Sequence, residues 1–145
     1  MVTDLLLPEI VKGATLRGNE YGWIVSAFPD AVAKAQAHDY ACLGGQFQFR
    51  LPDGGTCEMY WLQADSGERK AGEAWRDYAR RSCSEVLQRF QRLMATTDFK
   101  KEASNWPNLQ AVIEHELDCG SCLVFVAYFV TEAEIAQTTV NPQSL

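Results

Sequence analysis

Alternating polar and apolar residues mark a pair of strands in the middle of the chain. In Gln46–Leu51 every second residue is apolar, and Thr56–Gln63 has apolar residues at the alternate positions Cys57, Met59 and Trp61. Alternation of period two is typical of strands that bury one face. Pro52–Gly55 between them, Pro-Asp-Gly-Gly, is a strong turn signal, so the sequence predicts a hairpin. The Gly44-Gly45 pair before it predicts a bulge or a close approach of two backbones.

The two faces of this hairpin differ in polarity. The face predicted to be buried carries Phe47, Phe49, Leu51, Cys57, Met59 and Trp61. The opposite face carries Gln46, Gln48, Arg50, Glu58 and Tyr60.

Apolar residues spaced three and four apart predict helices on either side of the hairpin. Ser26–His38 is rich in alanine and has Pro29 near its first turn. Glu73–Ala95 has the strongest helical pattern, and its apolar residues fall on one face that suits the apolar side of the hairpin. Shorter helices are predicted in Val2–Val11, Phe99–Ser104 and Leu109–Leu117.

The rest of the chain completes a single domain. The apolar run Ser121–Thr131 predicts a central strand covered on both faces, and Ala14–Gly22 is predicted to be a loop. Residues 131–145 are polar and are expected to form a short helix or a loose tail. The chain, residues 1–145, is therefore expected to be one α+β domain, with a small, at least partly antiparallel sheet and helices packed on one side.

Charge is distributed unevenly along the 145 residues. The formal net charge is −6, but residues 69–101 carry nine bases against four acids, whereas residues 1–68 and 102–145 are acidic. The overall sign argues against a general nucleic-acid binder, so no direct nucleic-acid partner is expected. No apolar run approaches the roughly 18–20 residues of a membrane-spanning helix, and no basic segment precedes Leu5–Leu7 as in an export signal. We therefore expect a cytoplasmic protein with no membrane partner.

The residues that most often carry chemistry are sparse. Cys119-Gly-Ser-Cys122 follows a predicted helix and precedes a strand, which reverses the order of a redox-active motif. With His115 it supplies only three of the four ligands of a structural zinc site. The chain has two histidines, which leaves little room for a nucleophilic triad. We predict no catalytic residue, metal or cofactor, although a zinc- or thiol-based regulator using Cys119 and Cys122 remains an alternative.

The acidic residues around the hairpin are the candidate binding surface. Asp53, Glu58, Asp65 and Glu68 flank Tyr60, a rigid aromatic of the kind that anchors protein interfaces. Such a surface would steer a basic partner towards the protein. Ordinary turn and strand-surface chemistry is the competing interpretation of the same residues.

Three segments of the first third resemble a known protein family. Gly22–Trp23, Phe28–Val32 and Tyr40–Phe47 place a Trp before a helix that leads to a Leu-Gly-Gly turn and an aromatic. This pattern, within residues 22–50, resembles small bacterial immunity proteins of polymorphic and contact-dependent toxins, in particular the group known as immunity protein 40. The resemblance implies a cytosolic protein that occludes the active site of a cognate toxin, many of which are nucleases with basic clefts. It transfers no functional residue, because such surfaces differ between cognate pairs.

A second hypothesis is a small enzyme or ligand-binding domain. It would need a pocket between the sheet and the long helix, and the tryptophans are the candidates to line it. These are Trp23, Trp61, Trp75 and Trp106.

Overall fold

The fold was analysed in a computed structural model that describes residues 6–109 and 122–135. It is an α+β fold, as the sequence predicts. In chain order the elements are β1 (Ala14–Arg17), β2 (Glu20–Ile24), α1 (Phe28–Ala37), β3 (Ala41–Arg50), β4 (Thr56–Asp65), α2 (Trp75–Thr96), α3 (Phe99–Ala103) and β5 (Leu123–Val130). The strands form one five-stranded sheet of order β1-β2-β5-β3-β4, in which every pair is antiparallel.

The last strand in the sequence occupies the centre of the sheet. β5 pairs with β2 on one side and with β3 on the other, so it joins the β1–β2 hairpin to the β3–β4 hairpin. Every residue of β5 except Tyr128 is buried. The prediction of a central strand covered on both faces is confirmed.

Both long helices pack on one face of the sheet, which we call the first face. Four rings meet there, and their centroids are 4.7 to 5.5 Å apart in the contacting pairs. They come from α1, β3, α2 and β5 and are Phe28, Phe47, Phe90 and Phe125, all buried. The predicted role of the long helix, covering the apolar side of the hairpin, is confirmed. We call the opposite side of the sheet the second face.

The predicted loop over Ala14–Gly22 is wrong, because these residues form the β1–β2 hairpin. Arg17 pairs with Glu20, so the turn has two residues, and its first, Gly18, has a φ of 60°. Glycine at that position suits the two-residue turns that match strand twist. The two strands are short. They are stabilised by pairing with β5 and by hydrogen bonds from Arg50 of β3, both of which are distant in the sequence, so no local pattern of apolar residues marks them.

The predicted N-terminal helix is replaced by a turn in the part that the structure describes. The carbonyl of Leu7 accepts hydrogen bonds from the amides of Ile10 (2.9 Å) and Val11 (3.3 Å), and the chain then leads towards β1. The indole of Trp23 donates to the carbonyl of Ile10 at 2.8 Å, which ties this turn to β2.

Several predictions fall partly or wholly on residues that are not described. Residues 2–5, Cys119, most of the predicted Leu109–Leu117 helix and residues 136–145 lie outside the described ranges. Leu109 itself is described and buried, as expected for a helix that packs on the core.

The two glycines before the hairpin form the predicted irregularity in β3. The register against β5 shifts between Cys42 and Gly44, and Gly44 has a φ of 134°, which favours glycine. A Cβ on Gly45 would lie 2.0 Å from the carbonyl oxygen of Val126. Both predicted features, a bulge and a close backbone approach, are therefore present.

Candidate functional site

A bulge in the edge strand β4 exposes two consecutive aromatic residues. Gln63 is paired with Gln46 and Met59 with Phe47, so the three residues between Met59 and Gln63 have no partner in β3. Because the alternation of the strand stops there, both Tyr60 and Trp61 reach solvent, with 64% and 47% of their surface exposed.

This bulge corrects the predicted position of Trp61. The other five residues of the predicted apolar face are buried: Phe47, Phe49, Leu51, Cys57 and Met59. Trp61 follows Met59 by two residues and would join them in a regular strand, but the extra residues turn it out of the core.

Trp61 is held in one orientation by residues of α3 and the segment after it. Its indole nitrogen donates a hydrogen bond of 2.8 Å to a carboxylate oxygen of Glu102. Its ring lies nearly parallel to that of Trp106, with an interplanar angle of 10° and centroids 6.1 Å apart, and Trp106 in turn meets the edge of Phe49 in the core. An exposed aromatic fixed in this way loses little conformational entropy when it binds a partner.

The ring of Tyr60 stands almost perpendicular to that of Trp61. Their centroids are 5.2 Å apart and their planes meet at 80°. Tyr60 and Trp61 therefore meet edge to face, and we call the exposed surface of this pair the aromatic corner.

The structure separates the acidic residues predicted to share a surface with Tyr60. Asp53 lies in the β3–β4 turn, where its carboxylate accepts the amide of Gly55 at 2.8 Å. Asp65 lies at the far end of β4: the two ends of this strand pair with Arg50 and Gly44 of β3, about 20 Å apart at the usual rise of a strand. Glu58 is exposed near Tyr60, and its carboxylate accepts a hydrogen bond from the side chain of Gln48 at 3.3 Å.

Asp65 and Glu68 are close to basic side chains of α2. The carbonyl of Asp65 accepts a hydrogen bond from Arg89 at 2.6 Å, and that of Glu68 accepts one from Arg81 at 2.8 Å. Of the four predicted acids, only Glu58 lies within two residues of the aromatic corner. A binding role for Asp53, Asp65 and Glu68 remains a prediction.

Arg81 also joins α2 to the segment that precedes it. Its guanidinium forms two hydrogen bonds of 2.9 Å with the carboxylate of Glu73 and contacts Glu85 at 3.2 Å. Glu85 accepts the amide of Gly67, and Glu73 that of Lys70. These hydrogen bonds, first of all that from Arg81, lower the pKa of Glu73 to about 2. The arrangement fixes residues 67–73 on the helix.

A buried arginine on the second face is the main feature that the sequence did not predict. Arg50 was placed on the polar face of the hairpin, but it is only 6% exposed. Its guanidinium reaches across β5 and donates to the carbonyls of Thr15 (2.6 Å) and Glu20 (3.1 Å) and to Gln48 (2.7 Å). A Cβ on Gly22 would lie 2.8 Å from its Cζ atom, so the guanidinium lies directly over this glycine.

The second face also carries a tyrosine beside a carboxylate. The Tyr128 hydroxyl donates a short hydrogen bond to the carboxylate of Glu20, which sits opposite it on β2. Burial raises the pKa of Tyr128, and Glu20 raises it further, so the phenol stays protonated at neutral pH. Burial lowers the pKa of Arg50, and the nearby Arg17 adds to the effect. All three side-chain nitrogens of Arg50 already donate within the protein, which gives this cluster a structural role.

The described cysteines are buried free thiols. They are Cys42, Cys57, Cys83 and Cys122. Burial raises the pKa of Cys83 to about 12 and that of Cys42 well above its usual range, so both are unreactive thiols at neutral pH. Within residues 6–109 and 122–135, no three His, Cys, Asp or Glu side chains are placed to hold a metal ion. His115 and Cys119, the other members of the zinc hypothesis, are outside these ranges.

The tryptophans do not come together between the sheet and the long helix. Trp23 is buried against α1 and β5, and Trp75 packs on Tyr78 and donates to the carbonyl of Asp39 at 2.7 Å. Trp61 and Trp106 stack near α3. Phenylalanine rings of the core pack against one another between the sheet and α2, in the region where the second hypothesis places its pocket.

In the described part of the chain, the longest helix, α2, is too polar to cross a membrane, and no other helix meets the requirement. Comparison of the chain with protein-family models, with curated proteins and with solved structures found no match.

Proposed function

We propose that this chain is a protein-binding domain whose contact surface is centred on the aromatic corner, and that its partner is a toxin domain that it neutralises. The exposed, rigidly held pair Tyr60 and Trp61 is the observation that carries the proposal. Tyrosine and tryptophan are the residues most enriched among those that dominate the binding energy of protein interfaces.

The position of the pair in the fold supports a role in recognition. An edge strand with a bulge does not invite indiscriminate pairing with other strands. The bulge here costs the sheet three unpaired residues and leaves two large aromatics in water. Burying these rings against a partner would recover the hydrophobic free energy that the fold forgoes at this site.

Charge and the sequence resemblance support the type of partner. The net charge of −6 would speed association with a basic protein, such as a nuclease with a basic cleft. Residues 22–50 resemble immunity proteins, which act by binding a toxin and need no catalytic group. By this proposal the protein works in the cytoplasm, without a cofactor.

Immunity genes lie directly after the genes of their toxins, so co-expression with the product of the preceding, adjacent gene tests the proposal. We expect the chain to protect cells from that product and to co-purify with it. A double variant, Tyr60→Ala with Trp61→Ala, is expected to lose both properties. The matched control changes two exposed glutamines of α2, Gln88→Ala with Gln91→Ala, and should keep both. Absence of protection and of complex formation by the unaltered chain would refute the toxin partner.

A further inference from the structure

We infer that the aromatic corner receives a cationic side chain, arginine or lysine, from the partner protein. This inference rests on the proposed function and names the chemistry of its central contact. Two features favour a cation at this site: the electronic character of the two rings and the carboxylates near them.

The rings offer the surface that a cation prefers. Tryptophan is the best cation-binding aromatic side chain, and tyrosine also binds cations through its ring face. Among the described residues, Tyr60 and Trp61 are the two large aromatics with exposed rings, and their planes are nearly perpendicular. The two rings meet edge to face and Trp106 stacks along Trp61, so a guanidinium or ammonium group would lie on the ring face that stays exposed.

A carboxylate without an ion pair among the described residues lies beside Trp61. One oxygen of Glu102 accepts the indole N–H of Trp61, and within the described ranges no base forms an ion pair with this carboxylate. Glu58, two residues before Tyr60, is exposed and likewise has no ion pair among the described residues. A cation in the corner would therefore meet unneutralised negative charge as well as aromatic rings.

The lysines of α3 do not neutralise Glu102. In a helix each residue is rotated by about 100° from the one before it, so Lys101 and Lys100 lie about 100° and 200° around the axis from Glu102. Phe99 and Ala103 face the core, which leaves both lysines on the outer side, where they are exposed. The carboxylate of Glu102 thus faces Trp61, away from these two charges.

Titration with a small cationic probe tests the inference without the partner protein. The probe is acetyl-Gly-Arg-Gly-amide, and the control probe replaces arginine with citrulline, which has the same shape and no charge. The readout is the indole N–H resonance of Trp61 in the 15N spectrum of the full chain. We expect the arginine probe to shift this resonance in a saturable manner, and the citrulline probe to shift it several-fold less.

A conservative variant separates charge from geometry. Glu102→Gln keeps an oxygen that accepts the Trp61 indole N–H but removes the charge, and should weaken binding of the arginine probe by about threefold. Asp77→Asn, an exposed acid in the first turn of α2, should leave it unchanged. Equal shifts with both probes would show an uncharged contact and overturn the inference. No shift with either probe would also overturn it, while the proposed function would still stand or fall on the co-expression result.

Discussion

Arg50 shows how one side chain can join elements that are distant in sequence. Its backbone lies in β3, and its side chain extends across β5 and forms hydrogen bonds with β1 and β2. Each of its acceptors is a neutral oxygen, and the nearest carboxylate, that of Glu20, is bound by Tyr128. A buried cation held only by neutral groups is costly unless every donor is satisfied, so the geometry around Arg50 should be intolerant of change.

A double-mutant cycle between Arg50 and Gly22 measures this geometry. Gly22→Ala should destabilise the protein, because its Cβ would lie 2.8 Å from Arg50 and 2.9 Å from a methyl of Val124. Arg50→Ala should cost about 2–4 kcal/mol by leaving buried acceptors unpaired. The double variant should be destabilised by at least about 1 kcal/mol less than the sum of the two single variants, because without the guanidinium the new Cβ of residue 22 no longer clashes with it.

Urea unfolding of the four proteins provides the measurement. Strict additivity would contradict the placement of the guanidinium over Gly22. Gly55→Ala is a suitable control for the loss of a glycine, since its Cβ would meet its nearest neighbour at 3.1 Å in an exposed turn.

Among the elements, the N-terminal part of α2 is stabilised by hydrogen bonds with the segment before it. The helix has no side-chain cap at its N-terminus. Instead, Arg81 in its second turn binds Glu73 and the carbonyl of Glu68, and Glu85 binds the amide of Gly67. Docking of residues 67–73 on the helix should therefore depend on the ionised state of Glu73.

The pKa of Glu73 gives this dependence a sign and a range. The pKa of this carboxyl is lowered from 4.5 to about 2. Its contribution to stability is therefore complete above the pKa of the unfolded chain and is lost as pH falls from about 5 towards 2. Glu73→Gln should lack this part of the acid-induced loss. The change is followed by amide exchange at Gly67 and Lys70 and by thermal unfolding across this pH range.

Glu68→Gln serves as the control for this pH dependence, since it removes an exposed carboxylate of the same segment. Its acid profile should match that of the unaltered chain. Identical profiles for Glu73→Gln and the unaltered chain would show that the bond to Arg81 does not hold the segment.

Elements with a strong local pattern were predicted well from the sequence. The α1 and α2 helices and the β3–β4 hairpin follow periodicities that local physics enforces. The β1–β2 hairpin was missed because its strands have four and five residues and are supported by distant parts of the chain. Trp61 was misplaced for a related reason. The run Met59–Leu62 is apolar throughout, so alternation does not decide which of these residues face the core, and the bulge becomes visible only in the pairing with β3.

On the scale of the whole molecule, β5 makes one folding unit of two hairpins. It supplies Phe125, Ala127 and Phe129 to the core on the first face. Since each hairpin pairs with it on one side, neither can complete the sheet alone. We expect the described sheet to unfold as a unit.

Hydrogen exchange of the variant Phe125→Ala tests this cooperativity. The ring contacts Phe28, Phe47 and Phe90, so its loss should lower the free energy of unfolding by about 3–5 kcal/mol. Exchange should accelerate by the same factor in β2 and in β3. Leu16→Ala, on an exposed side chain, should have little effect in either strand. Unequal acceleration in β2 and β3 would show that the hairpins open independently.

The candidate site was predicted in part. Tyr60 was identified from its place among acids on a polar strand face, and it is the most exposed large hydrophobic residue of the described chain. The acids were grouped because they are near in sequence, but a strand of ten residues separates them in space. Glu102, 41 residues from Trp61 in the sequence, was beyond the reach of any local pattern.

The aromatic corner is proposed to bind a partner protein, and the affinity of the purified chain for that partner is the direct test. The purified product of the adjacent gene would be titrated with the unaltered chain, with the Tyr60→Ala and Trp61→Ala double variant, and with the glutamine control on α2. We expect a tight complex that the double variant weakens by about 100-fold or more, with the control unchanged. Equal affinity of all three proteins, or no binding by the unaltered chain, would contradict it.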